Sequence, residues 1–477
     1  MSNIQIKNAR DLIKAYILPM LLFLGGCKKL VQIPEPINTI TSSEVFSSDG
    51  TATQAILSIY NKFTSNFGSL SFASGSITLY CGLSADELNY FLVNAPIAQF
   101  QNNALTSDNV LISSQIWNSA YSSIYQCNSA VEGLQASSSV SDSVKTGLIA
   151  EAKFLRAFDY FYLTNLFGDI PLPLTSDWNQ TYLMPKTSQS LIYKQIIQDL
   201  KDAQTGLPVG YSIYGGYRDR ATQVAATALL ARVYLYTSDW ADAETASSNV
   251  IANASYSLVG NLNNVFIKNS TEAILQFATD SAHYPALAEP AAIIPLQPTT
   301  GRPSYFITSQ LLNAFELNDL RKTAWTNATK YTVSGTTTTY YYPYKYKIGV
   351  GTLNNAPEFY MAIRLAEMYL IRAEARGQLN NNLSGAINDL NTIRQRAMLL
   401  PLSNALTQSQ VLAAVVQERR VELFSEWGHR WLDLKRTNQA SSVLGPLKSG
   451  WTNNAQLYPI PVTEIRANPN LIQNPGY

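Results

Sequence analysis

The stretch LIAEAKFLRAFDYFYLTNLFGDIPL, Leu148 to Leu172, restricts the fold more than any other in this 477-residue chain. Leu155, Phe158, Tyr162 and Leu166 recur at three- and four-residue spacings, and Phe154 and Phe161 widen the apolar arc to nearly the whole circumference. A helix that is apolar on almost every side cannot lie on a surface, so other elements must enclose it. Ala150, Ala152 and Ala157 leave room for a neighbouring helix to approach closely. Gly168 stands where a left-handed C-terminal cap belongs, and Pro171 blocks continuation.

Two later stretches supply such neighbours. ATQVAATALLARVYLYTSDWADAETASSNVI, Ala221 to Ile251, reads as a small-and-apolar helix, a Thr-Ser-Asp turn and a second helix from about Trp240. RLAEMYLIRAEARGQLNNNLSGAINDLNTIRQRA, Arg364 to Ala397, repeats that layout, with a turn expected over Gly377 to Leu383 and Ala386 in the place of Ala243. Antiparallel helix pairs of about 34 residues with small residues at the crossing are a tetratricopeptide-like signature. Residues 255 to 360 differ: LNNVFIKNSTEAILQFATD alternates in short runs, and YTVSGTTTTYYYPYKYKIG has the β-branched, aromatic and turn content of a hairpin. The expected fold is mainly α, with tetratricopeptide-like helix pairs and a loop-rich, partly β insertion.

The N-terminal stretch carries Lys7, Arg10 and Lys14, then an apolar run from Ala15 to Gly26 with Pro19 inside it. Twelve residues fall short of the roughly 20 needed to span a bilayer, whereas a basic region, a short apolar core and small residues before a cut describe a secretory signal. Leu24-Gly25-Gly26-Cys27 resembles a bacterial lipobox, in which the cysteine is lipidated and becomes the new amino terminus. Acyl chains at about 0.8 kcal/mol per buried CH₂ would then tether the chain stably. Residues Val31 to about Asp49, rich in proline, serine and threonine, read as a spacer followed by a helix entry.

Net charge is +1 and only 14% of residues are charged, with no basic stripe after residue 30, which argues against a nucleic-acid partner. With Cys27 lipidated, Cys81 and Cys127 remain, either as one disulfide or as two small buried hydrophobes. Chemistry is hard to assemble from the rest. The histidines are His283 and His429, no cysteine spacing suggests a metal, and no nucleophile-elbow pattern is present. His429 reads as a hydrogen-bonded structural histidine. Glu418, Glu422 and Glu426 recur every four residues as if on one helix face, but Arg419, Arg420 and Arg430 are interleaved with them. Arginine neighbours depress carboxyl pKa values, which disfavours a glycosidase general acid. Glu367, Arg372, Glu374 and Arg376 read as helix-surface ion pairs of small individual value. No catalytic residue, metal or cofactor is expected.

Several of these segments, taken in order, resemble the SusD/RagB family of outer-membrane nutrient-binding lipoproteins from Bacteroidetes. The resemblance rests on the lipobox, EAKFLRAFDYFYLTNLFGDIPL, RATQVAATALLARVYLY, RLAEMYLIRAEA, QERRVELFSEWGHRWLDLKRT (Gln417 to Thr437) and the closing LYPIPVTEIRANPNLIQNPGY. It implies a SusD-like α-α superhelical scaffold of four tetratricopeptide-like pairs whose irregular loops build a shallow binding face. It implies a signal peptide over 1–26 and one domain over 27–477. That domain comprises a tether to 45, an N-terminal helical part over about 46–254, an insertion over about 255–360 and a C-terminal part over about 361–477. It further implies capture of an oligosaccharide, or in some branches a peptide, without chemistry, and delivery to a SusC-like TonB-dependent transporter. The expected location is the outer membrane, lipid-anchored and surface-exposed. Surface-exported members often carry acidic residues after the lipid cysteine, whereas this chain has Lys28 and Lys29, so its facing stays open.

Sugar recognition uses an aromatic face against the C–H surface of a ring, flanked by amides or charged groups for the hydroxyls. With 28 tyrosines, 17 phenylalanines and 7 tryptophans, the useful aromatics are those outside strong helical periodicity and beside polar residues. These are Tyr90 and Phe91 with Asn89, Trp178 in TSDWNQTY, Tyr284, Arg302 with Tyr305, and Trp325. The 80–95 and 283–305 loops are favoured because the resemblance points to the same regions. The Tyr340 to Tyr346 run is open to either a ligand or a cross-strand role.

Overall fold

Helix Asp142–Phe167 lies in the interior, and from Phe154 to Phe167 every residue except Asn165 is buried. Gly168 ends it at φ 74°, its N–H donating to Thr164 O at 2.9 Å. The computed structural model describes residues 42–64, 70–278, 287–349 and 357–477. The segment read as a signal peptide, Cys27 and Tyr284 lie outside them. The chain divides into two units, Met1–Val45 and Phe46–Tyr477. The described part of the first is the short helix Ser42–Val45.

The second unit contains, in chain order, α1 (Asp49–Thr64), α2 (Ile77–Ser84), β1 (Leu88–Tyr90), α3 (Ala95–Asn102), α4 (Asn118–Ala136) and α5 (Asp142–Phe167). There follow α6 (Gln189–Gly206), α7 (Gln223–Thr237), α8 (Trp240–Ile251), β2 (Ala273–Phe277), β3 (Tyr305–Ile307), β4 (Thr326–Val333), β5 (Thr336–Pro343) and β6 (Tyr360–Arg364). The last are α9 (Leu365–Leu379), α10 (Leu383–Arg396), α11 (Gln408–Glu422) and α12 (His429–Arg436), with shorter helical turns between. From α4 to α8 each helix packs on the next, and α8 then packs on α9, which packs on α10 and α11. The helical stack therefore runs straight across the insertion. Residues 252–364 leave and re-enter it at a neck where β2 pairs antiparallel with β6.

Local chemistry explains the pairs. The Thr222 hydroxyl accepts from Ala225 N at the start of α7, and Ser238 at φ 61° turns the chain into α8. Asn380 at φ 53° ends α9, and the Asn382 side chain caps α10 through Gly385 N at 2.9 Å. Ala243 and Ala386 are both fully buried. The turn expected over Gly377 to Leu383 is shorter: Gly377 lies inside α9. A Cβ there would meet Leu412 of α11 at 2.9 Å, so the glycine permits a close helix crossing. In the insertion, β4 and β5 form the expected hairpin, closed by Ser334 (φ 48°) and Gly335 (φ 81°). Both central residues are left-handed, which a type I′ turn requires.

Two readings are corrected by the charges. Glu367 and Glu374 are not on the surface, being 1% and 4% exposed. Glu367 pairs with Arg232 of α7 at 2.6 Å, and Glu374 with Arg436 of α12 at 2.6 Å. Arg372 and Arg376 of α9 both hold Asp389 of α10, and Arg376 also reaches Glu244 of α8. These pairs join helices rather than decorate one. Glu418, Glu422 and Glu426 do not share a helix face, since α11 ends at Glu422. They converge nonetheless in a buried network: Arg321 bonds Glu418 and Glu422, Arg364 bonds Glu272, Glu422 and Glu426, and Lys345 bonds Glu426. Burial opposes charge on Glu422, but Arg396, Arg364 and Arg321 hold its carboxyl well below the usual range.

Cys81 and Cys127 do not pair; both thiols are free and buried. Cys81 faces the Tyr458 hydroxyl at 3.8 Å and packs under Gly428, while Cys127 sits on α4. His429 is buried as expected of a structural residue, but its Nδ1 has no partner among the described residues. Burial lowers its pKa to about 4.

Candidate functional site

The site is built where the start of the helical body meets the insertion. β1 and β3 pair antiparallel, with Leu88 opposite Ile307, Asn89 opposite Phe306 and Tyr90 opposite Tyr305. Phe91 N extends the ladder by donating to Ser304 O at 2.9 Å. Alternation sends Leu88 and Ile307 into the core and leaves Asn89 and Phe306 half-buried. The pair is fixed from below. Asp86 accepts from Arg430 (2.7 Å) and Arg420 (2.6 Å), Glu87 accepts from Ser425 N, and Thr308 bonds the backbone of both acids. The SEWGHRWLDLKR block thus anchors the strand that carries Tyr90.

The rings divide between the two sides of the pair: Tyr90 and Tyr305 lie on the side of Leu88 and Ile307, whereas Phe91, Phe306 and the hairpin tyrosines gather on the side of Asn89. Tyr90 leans on Tyr305 at 4.8 Å between centroids. Phe91 meets the hairpin tyrosines edge-on, Tyr331 at 5.7 Å and Tyr340 at 5.4 Å. Phe306 meets Tyr340 at 5.1 Å. Tyr90, Phe91, Phe306, Tyr331 and Tyr340 are all half-buried, so each keeps part of its ring open. Arg302 is exposed, and its charge acts on the Tyr90 phenol, partly offsetting the upward push of burial on that group. Asn94 caps α3 through Ile97 N, and Gln101 of α3 accepts from Tyr90 N at 2.6 Å. The face is shallow, aromatic and edged by an amide and a guanidinium, and its rings are held by their neighbours before any ligand arrives.

Of the residues singled out in the sequence, Asn89, Tyr90, Phe91, Arg302 and Tyr305 come together here. Tyr305 is 3% exposed and supports Tyr90 from beneath. Trp325 is corrected: it is a core residue with no exposed surface, its indole N–H donating to Leu262 O at 2.9 Å and Lys345 Nζ 4.7 Å from its ring centroid. Trp178 is 65% exposed but belongs to a different part of the molecule, the loop after α5. Phe306 and Tyr331 were missed. The signal for Tyr331 was the two-residue period of the hairpin, which places Thr329, Tyr331, Tyr340 and Tyr342 on one face; Phe306, on β3, had none.

The arrangement does not place two free carboxyls beside the aromatic face. Asp86 is ion-paired and Glu87 is buried, with burial and the adjacent Asp86 raising its pKa to about 8. Among the described residues, no group of His, Cys, Asp and Glu could hold a metal ion, and no helix is long and apolar enough to cross a membrane.

A mainly helical scaffold of packed helix pairs, interrupted by an insertion with short strands, defines the class of fold, and the comparisons give its family. Residues 304–477 match the model of the SusD family, and residues 70–235 match the family described as starch-binding, associating with outer membrane. SusD-like protein P2 of Formosa agariphila is 26% identical over 97% of this chain and 99% of its own length. Starch-binding protein SusD of Bacteroides thetaiotaomicron is 34% identical over 24% of this chain and 21% of its own. Among solved structures, a laminarin-binding SusD-like protein superposes with a TM-score of 0.74 at 24% identity, covering 91% of this chain and 100% of that one. Surface glycan-binding protein A from Bacteroides fluxus gives 0.73 at 22% identity, covering 90% and 99%. The chain belongs to the SusD/RagB family.

Proposed function

We propose that this protein is a non-catalytic lipoprotein of the outer membrane that captures an oligosaccharide and passes it to a SusC-like TonB-dependent transporter. The observation that carries the reading is the aromatic face of Phe91, Phe306, Tyr331 and Tyr340, with Asn89 on the same side of the strand pair and Tyr90 and Arg302 adjoining it. Flat rings with open surface match the C–H face of a sugar, and the amide and guanidinium match its hydroxyls. Family members whose names record starch, laminarin or glycan binding support the ligand class. The tether is assigned to Cys27, with residues 27–45 as spacer before the body, and the family's outer-membrane description supports the location.

The test is calorimetric titration of the protein, without its first 27 residues, with a panel of neutral oligosaccharides, followed by product analysis after prolonged incubation. Saturable binding with no shortened product is expected. Turnover of any member of the panel would replace capture with hydrolysis, and binding of peptides alone would move the protein to the peptide-binding branch. Co-purification of the full-length lipoprotein with a transporter from its own membrane tests the hand-off.

A further inference from the structure

A second built cavity shares no residue with the aromatic face. It encloses about 340 Å³ between α4, the loop after α5 and the segment from Glu464 to Leu471. Trp117 lies at its inner side, 3% exposed and tilted against Tyr121 at 4.8 Å. Tyr125, 58% exposed, contributes an open ring and hydroxyl. Tyr182 lines the cavity and stacks on Trp178, 4.3 Å between centroids and 19° between planes, with both rings exposed.

The loop that holds Trp178 out is not loose. Tyr121 donates to Pro171 O at 2.8 Å, and Tyr160 and Asn128 donate to Pro173 O at 2.7 and 2.9 Å. The Glu132 carboxylate accepts from Ser176 N at 3.2 Å, and Asp177 caps the next turn by accepting from Asn179 N at 3.0 Å. A rigid loop that keeps an indole in water, one face backed by a tyrosine and the other free, is a pre-formed stacking surface. Among the described residues, Glu464 is the one charged residue lining the cavity, so they offer an anionic ligand no counter-charge there. Tyrosine hydroxyls, asparagine amides and a carboxylate suit a neutral ligand rich in hydroxyl groups. The cavity volume falls in the range of small-ligand sites.

We infer that this cavity and the Trp178–Tyr182 stack form a second saccharide site, which takes a pyranose unit of a neutral oligosaccharide. The ligand class rests on the function proposed above; the location does not. Two sites on one molecule would hold different stretches of the same polymer and raise its retention without tighter contact at either.

The experiment titrates maltohexaose, laminarihexaose, xylohexaose and mannohexaose into the wild type, Trp178→Ala, Trp178→Tyr and Phe91→Ala. Two separable binding events are expected with at least one probe. Trp178→Ala should weaken one event at least tenfold at unchanged melting temperature, Trp178→Tyr should restore most of it, and Phe91→Ala should weaken only the other. Binding that Phe91→Ala abolishes and Trp178→Ala leaves intact overturns the second site alone. Binding that depends only on Trp178 supports the second site and overturns the aromatic face as the capture site. No binding of any probe overturns both. A proline decamer whose binding needs Trp178, with no hexasaccharide event that does, overturns the saccharide assignment.

Discussion

Arg232 of α7 and Glu367 of α9 form a two-pronged ion pair, Nε to Oε1 at 2.7 Å and Nη2 to Oε2 at 2.6 Å, with each side chain 1% exposed. Two further guanidinium hydrogens are taken by the Tyr162 hydroxyl and Ala362 O. The pair ties the helices on either side of the insertion, so the scaffold closes on charge as well as on packing. Removing one partner leaves the other buried and unpaired. Arg232→Ala or Glu367→Ala should therefore cost about 3–5 kcal/mol. Replacing both with Met and Leu should cost much less. Chemical denaturation of the three variants checks this, and equal losses in all three would contradict it.

The same region sets an acid limit. Burial holds His429 neutral in the fold, with a pKa of about 4 against 6.5 for the free side chain. The unfolded chain binds that proton from pH 6.5 downward while the folded chain refuses it, so stability falls between about pH 6.5 and 4. Arg232 holds Glu367 at about 2 against burial, so its contribution is present above pH 4.5 and disappears as pH falls toward 2. Melting temperature measured from pH 7.5 to 4 should decline in the wild type. His429→Gln should flatten the upper part of that decline, and an unchanged slope would show that another group controls it.

Both described thiols are enclosed. Burial pushes the Cys81 thiol up to about 12 and raises Cys127 well above the usual thiol value. A protein starting after Cys27 should show two thiols reactive to a maleimide in denaturant without reductant, and none in the native state. One or no reactive thiol after denaturation would mean that a bridge had formed. The Gly428–Cys81 contact has its own consequence. Gly428 is at φ 69°, and a Cβ there would meet Cys81 Cβ at 2.6 Å, so Gly428→Ala should lower the melting point sharply.

Which parts of this were readable in the sequence follows from distance along the chain. The helix pairs were legible because apolar spacing and caps are local, as at Gly168. The ion pairs were not, because Glu367 meets a partner 135 residues away, and a charge on a helix looks the same whether it faces water or an arginine. Trp178 and Trp325 looked alike, each beside polar residues and outside strong periodicity. What separates them is the Leu262 carbonyl and Lys345 ammonium that close over Trp325, contributed by other parts of the insertion. The aromatic face was half legible: Tyr90 and Phe91 had polar neighbours, but the pairing of β1 with β3 that brings Phe306 beside them leaves no local trace.

The difference between the two tryptophans and the aromatic face gives the most direct check on the site. Phe91 and Tyr340 are half-buried and touch each other edge-on at 5.4 Å, so each keeps a surface for a ligand and a neighbour for its position. Phe91→Ala and Tyr340→Ala should each reduce oligosaccharide affinity about tenfold or more, the loss of roughly 1–3 kcal/mol expected where a stacked ring is removed from a sugar contact. Folding should hardly change, because neither ring is enclosed. Trp325→Ala should behave in the opposite way, costing about 3–5 kcal/mol of stability through a core cavity. Any protein that still folds should keep its affinity. Calorimetry and thermal melting on the same three samples separate the outcomes. Affinity that survives the loss of both Phe91 and Tyr340 would remove the face from the binding site.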